Sequence, residues 1–370
     1  MKKSLLVLLL VFVLVLTSCS PAAETPADET PAAEETPATE TSSTEEETED
    51  TPETADGPKF NYIMGHGAAE GSIGDLYCIR FKEIIEAKSN GNITADVYAG
   101  SQLGTYGEML QGLKTGDVSA MVFQPAPAVS FIPELAVLDL PYAFYGYTQD
   151  QIDYVLNDSE FTALLDESFS NAGYKRMSFA QAATFRETTS SKPLRTLEDF
   201  SGLKLRVLEN KYHLAFWREV GAAPTPLAFG ELYLSLQQGL VEAQENPYDT
   251  ALAAKFAEVQ DYVINTHHII YPNLFLINEE LYDSMPDDYK VLFDEAAVEA
   301  KEYAAELMAE SGTVNLQGLI DGGMEVIDLP DEEIAKLKEK AGVVEDLLRD
   351  DLGDDVVDTF LNALEESKTK

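Results

Sequence analysis

The chain has 370 residues, 45% of them hydrophobic, and a formal net charge of −41 from 66 acidic against 25 basic residues. That acidity makes nucleic acid and anionic lipid surfaces poor partners, and two cysteines exclude a disulfide-stapled scaffold. Stability must come from an apolar core, and the 312 residues from Lys59 onward suffice for two domains of ordinary size.

At the start of the chain, Lys2 and Lys3 precede an unbroken apolar run, Leu5 to Leu16. Twelve residues suit the apolar region of a signal peptide, whereas a transmembrane helix needs about 20. The run ends in Leu16-Thr17-Ser18-Cys19, which resembles the lipobox of bacterial lipoproteins. The resemblance implies a signal peptide over 1–18, lipidation at Cys19, and an extracytoplasmic protein anchored to the cell membrane by that lipid. The other reading is an ordinary signal peptide cut elsewhere, with Cys19 discarded. Residues 20–58 hold no Lys, Arg, aromatic or large aliphatic residue. Such a segment cannot bury enough apolar surface to offset its ordering entropy. A disordered acidic tether is therefore expected over 19–58, with an r.m.s. span of roughly 30–40 Å. Setting aside Lys2, Lys3 and the tether's 13 acidic residues, the folded part still carries about −30. An anionic ligand would have to be held by local cations against that field.

Beyond the tether, short β runs alternate with amphipathic helices. Phe60–Met64 reads as a strand and 71–89 as a helix containing Cys78, a small buried hydrophobe rather than a reactive thiol. In 92–99 the residues Ile93, Ala95, Val97 and Ala99 share one face of a half-buried strand. A helix over 105–115 and a strand over 118–123 follow. A second unit has β runs at 175–180, 184–189 and 202–207, then helices at 211–220 and 230–239, the latter stopped by Gly239. Residues 286–316 form the longest helical stretch, about 45 Å if continuous, enough to run along two domains. One β run, Met324–Asp328, and acidic helices complete the chain. Alternating strands and helices predict α/β architecture with parallel sheets.

The most specific stretch runs from Gln181 to Tyr248. It holds Phe185-Arg186-Glu187-Thr188-Thr189-Ser190, Gly202-Leu203-Lys204-Leu205-Arg206-Val207, Pro224-Thr225-Pro226-Leu227-Ala228-Phe229 and Gln244-Glu245-Asn246-Pro247. Upstream lie Gly100-Ser101-Gln102-Leu103-Gly104, Gly116-Asp117 and Asp139-Leu140-Pro141-Tyr142; downstream, His267 and Asn278. In this order the blocks resemble the solute receptors of TRAP (tripartite ATP-independent periplasmic) transporters, over roughly Lys59 to Ala309. The resemblance implies a two-lobed periplasmic-binding-protein-like α/β fold with a hinge and a long helix spanning both lobes. Lobe I would hold 59–183 plus about 272–311, and lobe II 184–271 plus about 312–370. It implies an extracytoplasmic receptor that delivers a small organic acid to TRAP membrane permease subunits, with no enzymatic activity and no cofactor.

The resemblance assigns the ligand carboxylate to Arg206, with Arg186 assisting, Asn246 hydrogen-bonding and Phe229 against the ligand's apolar face. Residue chemistry agrees, because a guanidinium fork matches a carboxylate bidentately and an ammonium does not. Alternatives stay open for each: Arg206 as a solvent-facing strand residue, Phe229 as core, Asn246 as turn chemistry before Pro247, Glu245 as a structural hydrogen-bonding carboxylate. In the first lobe, Gln124 stands where sialic-acid receptors carry Glu. His66 or Gly67 stands where they often carry Asn, and Tyr106 falls near an acidic position. These departures point to a sugar acid or C4-dicarboxylate, with Gln124 and His66 as ligand contacts. The competing readings are a receptor for an ATP-driven importer or sensor, and an exported enzyme using Gly65-His66-Gly67 as an oxyanion loop or His213, His267 and His268 as metal ligands. No Gly-X-Ser-X-Gly elbow and no zinc-type His spacing supports the enzyme.

Overall fold

The computed structural model describes residues 57–370. The expectations for the signal segment, for Cys19 and for the tether as far as residue 56 lie outside the described residues. Among the described residues, eleven strands form two sheets. In the first half of the chain β1 (Phe60–Gly65), β2 (Ile93–Tyr98), β3 (Ala120–Phe123) and β4 (Tyr174–Ala180) follow one another. Then come β5 (Phe185–Ser190), β6 (Lys204–Val207), β7 (Ala223–Pro226), β8 (Ala243–Asn246), β9 (Tyr262–Ile270), β10 (Asn273–Asn278) and β11 (Glu325–Asp328). The first sheet has the order β2-β1-β3-β10-β4 and the second β11-β9-β5-β8-β6-β7.

The sheets are mixed, not parallel as the alternation predicted. β1 runs parallel to β2 and β3, and β6 parallel to β7 and β8, each step carrying a helical crossover. β10, however, is antiparallel to β3 and β4, and β5 is antiparallel to β8 and β9. The connections explain this. β4 leads to β5 through 181–184 and β9 to β10 through Tyr271 and Pro272, too short for the dozen or more residues of a parallel crossover. Each strand therefore leaves one sheet and enters the other in the direction it was already travelling. These paired connections join the two sheets.

Local chemistry accounts for the element ends. Thr105 and Glu108 form a reciprocal capping box at the helix Tyr106–Thr115. At the end of the helix Phe229–Gln237, Gly239 takes φ 68°. Its N–H and that of Leu240 reach the carbonyls of Leu236 and Ser235 at 3.0 and 2.9 Å, closing a Schellman-type stop. The long helix runs Asp287–Asp321, 35 residues, or about 52 Å. Its buried Ala296, Ala300 and Ala304 lie in the same core cluster as Phe81 and Ile85 of the helix Ile73–Lys88, and Gly318 abuts Leu252 in the helix Tyr248–Ala253. A side chain at Gly318 would place its Cβ 2.8 Å from a Leu252 methyl carbon. The helix thus packs on elements flanking both sheets.

The C-terminal helices pack on elements beside both sheets. Gly342–Leu352 packs on Lys211–Val220, beside the second sheet, but Asp354–Ser367 packs on Gln149–Asn157 and Glu160–Ala172, which precede β4. Phe360 sets its ring edge-on to Phe161 and Phe144, at 5.1 and 5.6 Å between centroids. The amphipathic face Val357, Phe360, Ala363, Leu364 drives this return across the molecule. Cys78 is fully buried and free, and burial pushes its thiol pKa up, which keeps it protonated and inert. Among the described residues no helix is long and apolar enough to cross a membrane.

Candidate functional site

Two strands of the second sheet carry the cations. β6 lies between β7 and β8, so Leu205, Arg206 and Val207 are all fully buried although neighbours along a strand face opposite ways. Arg206 donates from Nε and Nη2 to the Leu227 carbonyl, at 2.9 and 2.6 Å. Its Nη1 is buried with no hydrogen-bond partner among the described residues. Burial pulls the Arg206 pKa down to about 10, against the raising effect of Glu245; at neutral pH the group stays charged.

Arg206 is a wall residue of a cavity of about 430 Å³ between the two sheets. Ser101, Tyr106 and Pro127 face it from the first-sheet side, and Leu208 and Phe229 from the second. A smaller cavity of about 20 Å³ shares Tyr106, Leu208 and Phe229, and adds Gln124, Asn246 and Tyr271. Gln124, Asn246, Arg206 and Phe229, far apart in sequence, are thus brought to one place. Phe229 sits half-buried at the start of its helix and also lies 6.4 Å from the Phe256 ring, so it serves core and cavity together. Tyr106 packs against Gly67: a Cβ there would lie 2.5 Å from the ring, so only a glycine leaves the ring its place.

Arg186 lies behind this wall. A β-bulge between Arg186 and Thr188 opposite β9 re-aims the strand locally. His267, in the bulge at φ 45°, is held by the Glu187 carboxylate through its N–H (2.8 Å) and Nδ1 (2.5 Å). Arg186 donates through Nε and Nη2 to the Glu245 carboxylate, through Nη2 to the Glu245 carbonyl (2.6 Å), and through Nη2 to Asn246 Oδ1 (3.2 Å). Its guanidinium carbon sits 5.3 Å from the centroid of the Tyr271 ring. Asn246 in turn donates to Gln244 Oε1 at 2.6 Å. Arg186 therefore orients the Asn246 side chain that faces the cavity.

His66 is not brought to the site. Its Nε2 meets Asp75 Oδ1 at 2.9 Å near the start of the helix Ile73–Lys88, and it lines neither cavity. The ring is drawn to the nearest buried carboxylate instead of the cleft. In its segment the neighbour Gly67 contributes, by admitting Tyr106.

Sequence reasoning missed a buried relay. Glu245 is fully buried; besides Arg186 it meets His268 Nε2 at 3.2 Å and His213 Nδ1 at 3.4 Å. His213 Nε2 reaches Asp139 Oδ1 at 3.0 Å, and Asn210 Nδ2 reaches Asp139 Oδ2 at 2.7 Å. Asn210 also caps the helix Lys211–Val220, accepting from the Tyr212 and His213 N–H groups, which places His213 in the first turn. Burial alone would lower the His213 pKa; Asp139 and Glu245 outweigh it and raise it to about 9. Burial lowers that of His268, so its neutral ring donates from Nε2 and accepts at Nδ1 from Thr266 Oγ1, 2.9 Å away. For Glu245, the burial penalty is exceeded by Arg186 and His213, which hold its pKa well below the carboxylate range. The signal available was Asp139 inside an apolar run, because a buried carboxylate requires a donor partner.

Three cations, Arg186, Arg206 and His213, thus face two carboxylates, Glu245 and Asp139, in one desolvated cluster. The surplus of one positive charge is what a single bound carboxylate would neutralise, and it exists despite the molecule's overall acidity. His213 makes a pH prediction. Its folded pKa lies above the ordinary imidazole value of about 6.5, so the stability it contributes is complete below about pH 6.5 and is lost as pH rises through about 9. Urea unfolding between pH 6 and 10 should show His213→Asn losing that alkaline decline. A decline equal to the wild type's would mean that His213 carries no proton in the fold. Among the described residues no group of three or more His, Cys, Asp or Glu is placed to hold a metal ion.

Comparison with known proteins places this geometry. The model of the bacterial extracellular solute-binding protein family 7 matches residues 64–347. The sialic acid-binding periplasmic protein of Vibrio cholerae is 33% identical over 233 residues, 63% of this chain and 72% of that protein. The C4-dicarboxylate-binding periplasmic protein of Rhodobacter capsulatus is 28% identical over 81% of this chain and 88% of its own. Among solved structures, the sugar acid binding protein of Advenella mimigardefordensis in complex with galactonate superposes with a TM-score of 0.79 at 26% identity, covering 84% of this chain and 99% of that one. A TRAP periplasmic solute binding protein from Roseobacter denitrificans with bound L-galactonate gives 0.72 at 26%, covering 78% and 99%. The TRAP resemblance carried by the sequence blocks agrees with every one of these matches. The chain belongs to the bacterial extracellular solute-binding proteins of family 7, and is a TRAP-type solute receptor rather than an enzyme.

Proposed function

We propose that the chain captures a small organic acid between its two lobes by the acid's carboxylate and presents it to a TRAP membrane permease. The observation that carries the reading is Arg206, a fully buried cation on the cavity wall whose Nη1 has no partner among the described residues. Buried donors are satisfied in folded proteins with few exceptions, and a carboxylate is the partner a guanidinium fits best. Asn246 supplies a second polar contact, Phe229 an apolar wall and Gln124 a neutral polar group on the opposite side. Arg186 positions Asn246 and adds to the positive field. Closure about the two strand connections excludes water, which strengthens the ion pair. Relatives named for sialic acid and C4-dicarboxylates support an acid as the ligand. The apolar run ending in Leu16-Thr17-Ser18-Cys19 supports delivery from a lipid-anchored position at the membrane, with the acidic segment as tether.

A thermal-shift panel of sugar acids, C4-diacids and keto acids tests the reading. A ligand at a hundred times its Kd should stabilise the fold by about 2.7 kcal/mol, and calorimetry should return one site per chain. Turnover of any acid, or no shift by all of them, would overturn it.

A further inference from the structure

The main cavity is electrically lopsided. Its buried end carries Arg206, whereas its exposed end carries two carboxylates, Glu108 and Glu209. They come from opposite sides of the cleft. Glu108 lies in the first turn of the helix Tyr106–Thr115, and Glu209 in the turn between β6 and the helix Lys211–Val220. Thr105 donates to Glu108 through its N–H (2.7 Å) and its hydroxyl (2.9 Å), and these bonds hold the Glu108 pKa below the usual range. Among the described residues no cation pairs with either carboxylate. Lys211, two positions from Glu209, is engaged by Asp351 at 2.5 Å. The remaining polar groups at this end are the hydroxyls of Ser101, Thr105 and Ser130.

The geometry points to a ligand with one carboxylate and an uncharged, hydroxylated tail, Glu108 and Glu209 being the residues that turn away a second carboxylate. The inference rests on Arg206 holding the acid head. With the head fixed there, the tail must reach toward the exposed end. A terminal hydroxyl finds acceptors in both carboxylates and partners in the three hydroxyls. A terminal carboxylate finds two like charges and no cation. Such repulsion acts against the wrong ligand more than it favours the right one, which is how specificity is commonly built. The two carboxylates come from opposite sides of the cleft, so the repulsion would grow as the lobes close.

Matched pairs of ligands test this with the full chain. Each aldonate of four to six carbons is compared by calorimetry with the aldarate formed by oxidising its terminal CH2OH, so that one carboxylate is the difference. The best-bound aldonate should bind roughly tenfold to a hundredfold more tightly than its aldarate at low salt. Raising the salt to 0.5 M should shrink that ratio, because exposed charges are screened. In the double variant Glu108→Gln/Glu209→Gln the ratio should fall to within a few-fold. Gln keeps the capping role at position 108, and Glu209 is exposed, so the fold should tolerate both. Aldarates binding as tightly as aldonates to the wild type would overturn the inference while leaving acid capture intact. A ratio that survives in the double variant would show that these two residues are not the filter. If no member of any pair binds, the inference and the capture of an acid by Arg206 fall together. If Arg206→Ala binds the aldonate as wild type does, the Arg206 reading falls by itself.

Discussion

Arg206→Ala should weaken binding of the cognate acid by roughly thirty-fold to several thousand-fold, the 2–5 kcal/mol lost when one partner of a buried charge pair is removed. The geometry explains why one side chain carries so much. The Leu227 carbonyl takes one hydrogen from Nε and one from Nη2, which locks the guanidinium plane before any ligand arrives. Both hydrogens of Nη1 and the second of Nη2 are left to meet a carboxylate end-on with two parallel bonds. Lys cannot reproduce this, because its ammonium is a point donor without the planar fork that gives a carboxylate two parallel bonds. Arg206→Lys should therefore retain charge yet still lose about tenfold or more. Stability of the unliganded protein should change far less than affinity. Burial already disfavours the Arg206 charge, as its pKa of about 10 shows, so its removal relieves a desolvation penalty while orphaning one carbonyl. Calorimetry on both variants, with unfolding curves as the control for folding, separates the two effects. Wild-type affinity in Arg206→Ala would remove Arg206 from the site.

How far the site was legible in the sequence depended on whether a residue's role is set locally or by the fold. Arg206, Asn246, Phe229 and Gln124 sit in short blocks with distinctive neighbours, and the structure gathers them around one cavity. Arg186 was expected to assist at the ligand carboxylate, and its engagement with Glu245 was not legible, because the two lie 59 positions apart. The same holds for the relay through Asp139, His213 and Glu245, whose members come from three distant segments. His213 and His268 are unremarkable in composition, and only their burial against carboxylates gives them a protonation state. His66 was expected at the ligand because it stands where sialic-acid receptors often carry Asn, whereas in the structure Asp75, nine positions on, pairs with its ring. Seven strands were legible to within a residue or two, because hydrophobic alternation is local, whereas β7, β8, β9 and β10 were not anticipated. Strand direction was not. It follows from the brevity of the connections at 181–184 and 271–272, whose meaning appears only once two sheets are known to exist. Helix Asp354–Ser367 shows the same limit, since its apolar face is plain in sequence and the surface that accepts it is not.

Glu245→Ala should be the more damaging substitution for the fold, at about 3–5 kcal/mol. Glu245 is fully buried and balances Arg186 directly, with His213 and His268 within 3.4 and 3.2 Å. Without it, Arg186 and a protonated His213 share a desolvated space with Asp139 as the one compensating carboxylate. His213 can escape by releasing its proton; Arg186 cannot, because guanidinium stays protonated in proteins. Glu245→Gln keeps the volume and one acceptor, so it should cost less than the alanine. It removes a negative charge, however, and the His213 pKa should drop from about 9 toward neutrality. The two changes offset one another: losing one negative charge and one proton leaves the same surplus of one positive charge for the ligand. Above the new His213 pKa, Glu245→Gln should therefore bind the acid about as tightly as the wild type, while being less stable. The wild-type Glu245 pKa is depressed by its partners, so its stabilisation is present above about pH 4.3 and is lost as pH falls; Glu245→Gln should flatten that acid limb. Guanidinium unfolding from about pH 2 to 9, with calorimetry at pH 8, reads both consequences. A loss below about 1 kcal/mol in Glu245→Ala would be that of an ordinary neutral hydrogen bond, and would mean that the Arg186 charge is balanced elsewhere.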